Sequence, residues 1–262
     1  MDENEIPKPL AEVFLARVAP GWAPGPEIDI TESDLNRLDF FLLARKAKIL
    51  EEIGDKSYMV ISSSPVYLRN KAIINIHDDK LRTLLVNPPQ KAKGYGNIFC
   101  GRPYPTIDGL RADNSTPYRT TKPATPQNYI EIFTNGYVEF GKLMNRENDS
   151  DLIFASVVDT AYIVNFIRFI EKAYGSQSSS TPLAINLAVY NAQGMWLALG
   201  NNYPGDDKLV KWPKQHLELG KYYIKNIRSQ AKLLPKTICD HIWQAFHREK
   251  ANVFDDAGTF RV

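Results

Sequence analysis

One short run of the sequence has the residue types of a metal-dependent hydrolase site, namely His77-Asp78-Asp79. The run lies at the end of a predicted strand, residues 72–77, where imidazole and carboxylate groups can hold the metal ions of phosphohydrolases. Asp108, in a later Asp-Gly turn, is a candidate additional ligand. A metal-dependent nuclease or phosphohydrolase that uses these four residues is therefore one alternative function.

The same run also has a structural interpretation. Asp78 and Asp79 before Lys80 are residue types that begin a turn or cap a helix. The chain has 4 histidines, and none of them stands in a His-Glu-x-x-His or His-x-x-x-His spacing. It also lacks a phosphate-binding Gly-x-x-x-x-Gly-Lys-Ser/Thr loop and a Gly-x-Ser-x-Gly elbow. The sequence therefore favours a non-enzyme, and we expect no metal site and no cofactor.

A second reactive combination is Cys239-Asp240-His241. Neighbouring residues on a helix point about 100° apart, so adjacency in sequence does not make a nucleophile and its base. We expect a buried, inert thiol. The other cysteine, Cys100, is distant in sequence, and two isolated thiols are typical of a reducing compartment rather than of a disulfide framework.

Two groups of basic and aromatic residues are candidates for contact with a ligand or partner. Such groups can neutralise phosphates and stack bases, although a solvated sheet edge has the same composition. The net charge of +2, from 32 basic and 30 acidic residues, gives no general basic surplus, so nucleic acid would need a local patch. The candidate contact residues are Tyr95, Arg102, Tyr104 and Arg111 in a long loop, and Lys221, Tyr222 and Lys225 further on.

The composition is that of an ordinary globular protein, with 44% hydrophobic and 24% charged residues among 262. The N-terminal residues lack a basic segment followed by an apolar one, and no apolar run approaches the roughly 18 residues that a membrane-spanning helix needs. We expect a cytoplasmic chain without membrane contact. We expect its partner to be a protein or a second copy of the chain, and keep nucleic acid as an alternative.

Helical periodicity is clearest after Thr31, where apolar residues recur up to Ile53 and Gly54 supplies a stop. The other face of this helix carries Arg45, Lys46 and Lys48, which we interpret as a solvated face. The other predicted elements are strands at 58–63 and 72–77, a hairpin of 129–133 and 137–140 with a type I′ turn at Asn135-Gly136, a helix at 151–174, a strand pair at 183–190 and 195–199, alternation near 216–219, and a helix at 235–248.

These elements predict an α+β fold with a mixed, mostly antiparallel sheet and about three main helices. Residues 1–30 are rich in proline and glycine and are predicted to form an extended arm. Residues 31–126 form a predicted first lobe that includes a long loop at 78–126, and residues 127–262 form a second lobe. The apolar strands near 183–199 predict a sheet that is covered on both faces.

Several segments, in chain order, resemble the region that follows the DNA-binding module of bacterial Schlafen/AlbA-like regulators, often labelled ATP-binding proteins. The segments are residues 39–45 with 49–53, 108–110, 132–139, 182–199, and 242–246 with 254–258. The resemblance covers about 220 residues, and the segments that carry it are structural rather than catalytic.

The resemblance implies a sensor or partner-facing module, in a regulatory or anti-phage setting, whose chemistry is supplied by another subunit. The sequence has no segment that resembles the family's own AlbA-like domain with its glycine-rich loop. The leading hypothesis is therefore a non-catalytic sensor or adaptor that binds a protein partner, a small ligand or a nucleic acid. A DNA-binding transcriptional regulator is the second alternative that the resemblance raises.

Overall fold

The computed structural model describes residues 30–67, 74–90, 96–98, 100–114, 126–144, 146–147, 151–175, 182–199 and 210–261. By compactness the chain divides into residues 1–31 and 32–262, and the described helices and strands all belong to the second unit. The predicted arm at 1–30 lies almost entirely outside the described residues.

The described residues form an α+β fold, as predicted. The helices are α1 (Glu32–Ile53), α2 (Asp79–Val86), α3 (Ser156–Gly175), α4 (Ile227–Gln230) and α5 (Leu234–Ala245). The strands are β1 (Tyr58–Pro65), β2 (Tyr104–Pro105), β3 (Gly109–Asp113), β4 (Asn128–Phe133), β5 (Val138–Leu143), β6 (Arg146–Glu147), β7 (Asp151–Ala155), β8 (Leu183–Tyr190), β9 (Trp196–Ala198) and β10 (Leu217–Ile224).

Seven of these strands form one antiparallel sheet in the order β10-β8-β1-β5-β4-β3-β2. A smaller sheet has the order β6-β7-β9, and its β7–β9 pair is parallel. The large sheet draws β1 to β3 from the predicted first lobe and β4, β5, β8 and β10 from the predicted second lobe. Backbone hydrogen bonds therefore join strands from both sides of residue 126, the predicted boundary between the lobes, in one sheet.

The large sheet is covered on both faces, as its apolar central strands predicted. Side chains alternate along a strand, and on β1 Met59 and Ile61 belong to the main apolar core with residues of α3 and α5. Tyr58 and Val60 point to the opposite face, where they pack with α1 residues such as Ile49. α1 thus packs against this face, which also carries charged side chains that bind this helix.

The hairpin of β4 and β5 is confirmed, but its turn is not type I′. That turn needs a positive φ angle at both central residues, whereas only Gly136 has one here, at 89°. The Gly136 N–H donates to the Phe133 carbonyl at 3.0 Å, and the Phe133 N–H donates to the Tyr137 carbonyl at 2.8 Å. The Asn135 side chain accepts from the Tyr137 N–H at 3.0 Å. Asn135 therefore supports the turn through its side chain, and only glycine takes the left-handed conformation.

The predicted loop at 78–126 contains regular structure in its described part. α2 begins at the Asp78 cap and buries Leu81 and Leu85, while β3 extends the sheet by pairing with β4. By contrast, the described residues 74–77 do not form the predicted strand, although the Ile74 N–H donates to the Thr134 carbonyl at 3.1 Å. The sequence did not reveal α2 and β3, because elements this short give little periodicity to detect. The many prolines and glycines nearby made the segment look like a loop.

The predicted helix at 151–174 begins later, because residues 151–155 form β7 and pair with β6 and β9. The predicted strand pair of 183–190 and 195–199 also separates: β8 lies between β1 and β10 in the large sheet, and β9 pairs with β7. Each misassignment involves a pairing between strands distant in sequence, which local patterns do not reveal. The alternation noted near 216–219 lies at the start of β10, and the predicted last helix corresponds to α5.

Candidate functional site

The run His77-Asp78-Asp79 forms a turn and a helix cap. The Asp78 carboxylate accepts a hydrogen bond from the Lys80 N–H at 2.9 Å. The backbone carbonyl of Asp78 accepts the first backbone hydrogen bonds of α2. The His77 N–H donates to the Asn75 side chain at 3.0 Å. These contacts are those of an N-terminal helix cap, so they support the structural interpretation of this run.

The four residues of the hydrolase alternative do not form a metal site. Asp108 is exposed in the turn between β2 and β3, and its carbonyl accepts the Thr134 N–H at 2.9 Å. Within the described ranges, no group of three or more His, Cys, Asp or Glu side chains is arranged to hold a metal ion. The alternative that uses His77, Asp78, Asp79 and Asp108 therefore finds no geometric support there.

The side chains of Cys239, Asp240 and His241 contact three different neighbours. The Cys239 sulfur lies 3.6 Å from the Thr160 hydroxyl, and burial raises the pKa of this thiol to about 12. His241 Nδ1 lies 2.7 Å from the Tyr222 hydroxyl, and the Asp240 carboxylate pairs with a lysine one turn earlier at 2.5 Å. Cys239 is buried, as the sequence predicted, and its raised pKa disfavours the thiolate, which is the reactive form.

A buried ion pair on the α3 side of the sheet is also structural. Lys142 Nζ on β5 lies 2.6 Å from the Asp159 carboxylate on α3 and 5.1 Å from the centre of the Tyr162 ring. The second Asp159 oxygen accepts the Ala155 N–H at 2.6 Å, at the start of that helix. Burial raises the pKa of Asp159, although the Lys142 charge opposes the shift. The pair therefore fixes the start of α3 against the sheet.

The predicted contact residues of the long loop have different environments. Tyr95 lies outside the described residues, and Arg102 is exposed. Tyr104 donates its hydroxyl hydrogen bond to Asp113 at 2.5 Å. Arg111 contacts carboxylates on α1, β3 and β4. Two of the four residues are thus engaged within the fold rather than presented to solvent.

The second predicted group does not form one surface. Lys221 and Tyr222 are adjacent on β10, so their side chains point to opposite faces of the sheet. Lys221 pairs with Asp39 of α1, and burial lowers its pKa. Tyr222 is buried on the α5 side, where its hydroxyl meets His241. Lys225, which follows β10, is partly buried.

Arg45 is the centre of a charged network between α1 and the sheet, and its predicted position on a solvated face is wrong. Only 8% of its surface is exposed. Its guanidinium binds Glu139 of β5 through Nε, at 3.0 Å, and through Nη2, and reaches Glu131 of β4 at 3.4 Å. Glu139 also accepts from the Tyr137 hydroxyl at 2.9 Å. Burial lowers the pKa of Arg45, but the hydrogen bond and charge of Glu139 raise it, and the net shift is upward.

Arg111 on β3 forms the second cationic centre of this network. Its Nη1 lies 3.2 Å from Glu52 of α1 and 3.4 Å from Glu131, and its Nε lies 3.3 Å from Asp113. Its guanidinium also stacks 4.5 Å above the centre of the Tyr129 ring. In this network two arginines pair with four carboxylates on α1, β3, β4 and β5, and these ion pairs hold α1 against the sheet.

The opposite, outer face of α1 has a different character. Phe40 is 77% exposed and Leu43 is 65% exposed, and the exposed Ala44 and Ala47 continue the same stripe. Spacings of three, four and seven residues bring such side chains to one helical face. A shallow depression lies beside this stripe, with Glu32, Ser33, Asn36, Arg37 and Phe40 among its lining residues.

The sequence contained the signal for this outer stripe. Apolar residues run through 40–44 without interruption, which is more than one buried helical face can use. Helical spacing alone does not show which of them are buried, because a single apolar face is the usual pattern of a surface helix. The structure divides the apolar residues of α1, with Leu38 and Ile49 buried on the inner face and Phe40 and Leu43 exposed.

No family model, curated protein or solved structure matches this chain. In the part of the chain that the structure describes, no helix is long and apolar enough to span a membrane.

Proposed function

We propose that the chain is a non-catalytic sensor or adaptor module that binds a protein partner through the outer face of α1. The observation that carries the proposal is the stripe of Phe40, Leu43, Ala44 and Ala47 on a helix whose opposite face is already packed on the sheet. Contiguous exposed apolar side chains with a polar surround are typical of protein interaction sites, and a helix face is a common form of such a site.

The environment of the charged residues supports the same proposal. Arg45 and Arg111 are bound to carboxylates of the sheet and of α1. These two guanidinium groups therefore do not form an open anion-binding patch. This favours a protein partner over nucleic acid, whose affinity depends on cations that reach phosphates. The resemblance to the partner-facing region of Schlafen/AlbA-like regulators is consistent with a regulatory or anti-phage setting, which stays a prediction.

Affinity capture from a nuclease-treated lysate of the native host tests the proposal. The baits are the wild-type chain, Phe40→Asp and Ile107→Asp. Ile107 is a matched control, because it is a large apolar residue with 103% exposure in the turn between β2 and β3. We expect a protein that wild type and Ile107→Asp capture and that Phe40→Asp does not. Equal capture by all three baits would contradict binding through α1.

A further inference from the structure

The outer face of α1 has an order along the helix that limits what can bind there. Its N-terminal half carries the large apolar side chains Phe40 and Leu43, preceded by Arg37. Its C-terminal half carries the small side chains Ala44 and Ala47, followed by Glu51. All of these residues are exposed. The stripe therefore changes from large to small side chains in one direction, with Arg37 before it and Glu51 after it; the exposed Glu32 and Lys48 lie at its margins.

A stripe with this order complements itself when a second copy lies antiparallel to it. If the twofold axis passes beside Leu43 and Ala44, Leu43 faces the second copy's Ala44 and Phe40 faces the second copy's Ala47. Large side chains against small ones allow two helices to approach and interdigitate. A parallel arrangement would instead place the two Phe40 side chains against each other and leave a gap at the alanines.

The charges favour the same antiparallel arrangement. Arg37 and Glu51 lie at opposite ends of the stripe, roughly 21 Å apart at about 1.5 Å per residue. In the antiparallel pair, Arg37 of each copy lies within one helical turn of Glu51 in the other copy. The depression beside Arg37, which Glu32, Ser33, Asn36 and Phe40 also line, then lies near the end of the second α1 that carries Glu51. A parallel pair would bring like charges together at both ends.

We propose, on the basis of the proposed function, that a partner of the outer face of α1 is a second copy of this chain, bound with its α1 antiparallel. A twofold interface uses the same patch on both subunits, which is what a self-complementary stripe provides. The stripe is short, and small interfaces give weak, transient association. The expected dimer is therefore concentration-dependent, with a dissociation constant on the order of micromolar to tens of micromolar.

Sedimentation equilibrium of the full chain at several concentrations measures the dissociation constant of the dimer. Substitutions that reverse the charges of Arg37 and Glu51 then test the antiparallel arrangement. Arg37→Glu and Glu51→Arg each place like charges opposite one another at both ends of the dimer. Each is expected to raise the dissociation constant at least several-fold, to about tenfold. The double exchange Arg37→Glu with Glu51→Arg restores opposite charges, so its dissociation constant should return close to that of the wild type.

The matched control is Lys80→Glu on the exposed surface of α2. It changes the net charge as much as Arg37→Glu does, and it should leave the dissociation constant unchanged. Loss of dimer in both single exchanges without recovery in the double exchange would overturn the antiparallel arrangement. A wild-type chain that stays monomeric at hundreds of micromolar would overturn the dimer itself.

The two proposals can fail separately. A monomeric wild type whose captured partner is lost only in Phe40→Asp contradicts the second copy as the occupant but leaves the binding function in place. A monomeric wild type with equal capture by Phe40→Asp and Ile107→Asp contradicts both. A dimer that Phe40→Asp abolishes, with recovery in the double charge exchange, supports both.

Discussion

Arg45 and Glu139 show at the residue scale how a polar sheet face can be covered. Glu139 is fully buried, and a buried charge is costly unless it is paired and hydrogen-bonded. Arg45 provides that pairing from α1, while Glu131 and Arg111 extend it across β3 and β4. The position of α1 on the sheet therefore depends on specific ion pairs as well as on apolar packing.

Replacement of Arg45 by methionine tests this dependence. Arg45→Met keeps a long side chain but leaves Glu139 buried without its cation, so we expect a loss of about 3–5 kcal/mol in the free energy of unfolding. Urea denaturation measures the change. Adding Glu139→Gln removes the unpaired charge and should recover part of the loss. A loss below about 1 kcal/mol for Arg45→Met would show that the pair does not hold α1.

Glu131 gives the network a dependence on pH. Burial and the charge of Glu139 raise its pKa above the ordinary value of 4.5, although Arg111 and Arg45 oppose the shift. A carboxyl with a raised pKa binds more protons in the folded than in the unfolded state, so its contribution to stability decreases as pH rises from about 4.5 through the folded-state pKa.

The measurement is the free energy of unfolding of the wild type minus that of Glu131→Gln, at about pH 4.5 and at about pH 7. Glutamine does not titrate, so other groups cancel to a first approximation. We expect this difference to be smaller at pH 7. A difference that grows toward pH 7 would mean that the arginines stabilise the Glu131 carboxylate more than burial destabilises it.

The pairing of β4 and β5 shows at the element scale how a close approach fixes the network. Gly141 lies opposite Tyr129, and a Cβ atom at Gly141 would be 2.1 Å from the Tyr129 ring. The Tyr129 ring therefore lies across β5 at Gly141, where there is no side chain. In this position the ring stacks against the Arg111 guanidinium.

The substitution Gly141→Ala is expected to displace the Tyr129 ring and to lower the free energy of unfolding by about 1–3 kcal/mol through overpacking. Thermal unfolding measures the effect. Tyr129→Leu in the Gly141→Ala background shortens the obstructing side chain and should lose less stability than the sum of the two single changes. Full additivity would show that the contact is not what constrains this position.

Local patterns in the sequence were enough for α1, the β4–β5 hairpin and α5, because periodicity and turn chemistry act over a few residues. They were not enough to predict that Arg45 is buried, because its partner Glu139 is 94 positions away in the sequence. They also failed for β3, a short strand among glycines and prolines that pairs with β2 and β4 and buries Leu110 and Ala112 in the main core. The outer stripe of α1 was visible as an excess of apolar residues, but only the sheet shows which of them remain exposed.

At the scale of the whole described unit, one helix has two roles. The inner face of α1 closes the polar face of the sheet through Arg45, and its outer face presents Phe40 and Leu43. The charged residues that the sequence suggested for ligand contact, such as Arg111 and Lys221, attach α1 to the sheet. The proposed adaptor function therefore depends on the surface of α1 rather than on the basic groups.

The most direct test of this account is the ratio of partner captured by Phe40→Asp to partner captured by Ile107→Asp, from the same nuclease-treated lysate and at the same salt concentration. Both variants add one negative charge in place of one exposed apolar side chain, so the ratio isolates the contribution of α1. We expect a ratio of about one tenth or less, since burying a charge in an apolar contact is costly. A ratio near one would contradict it.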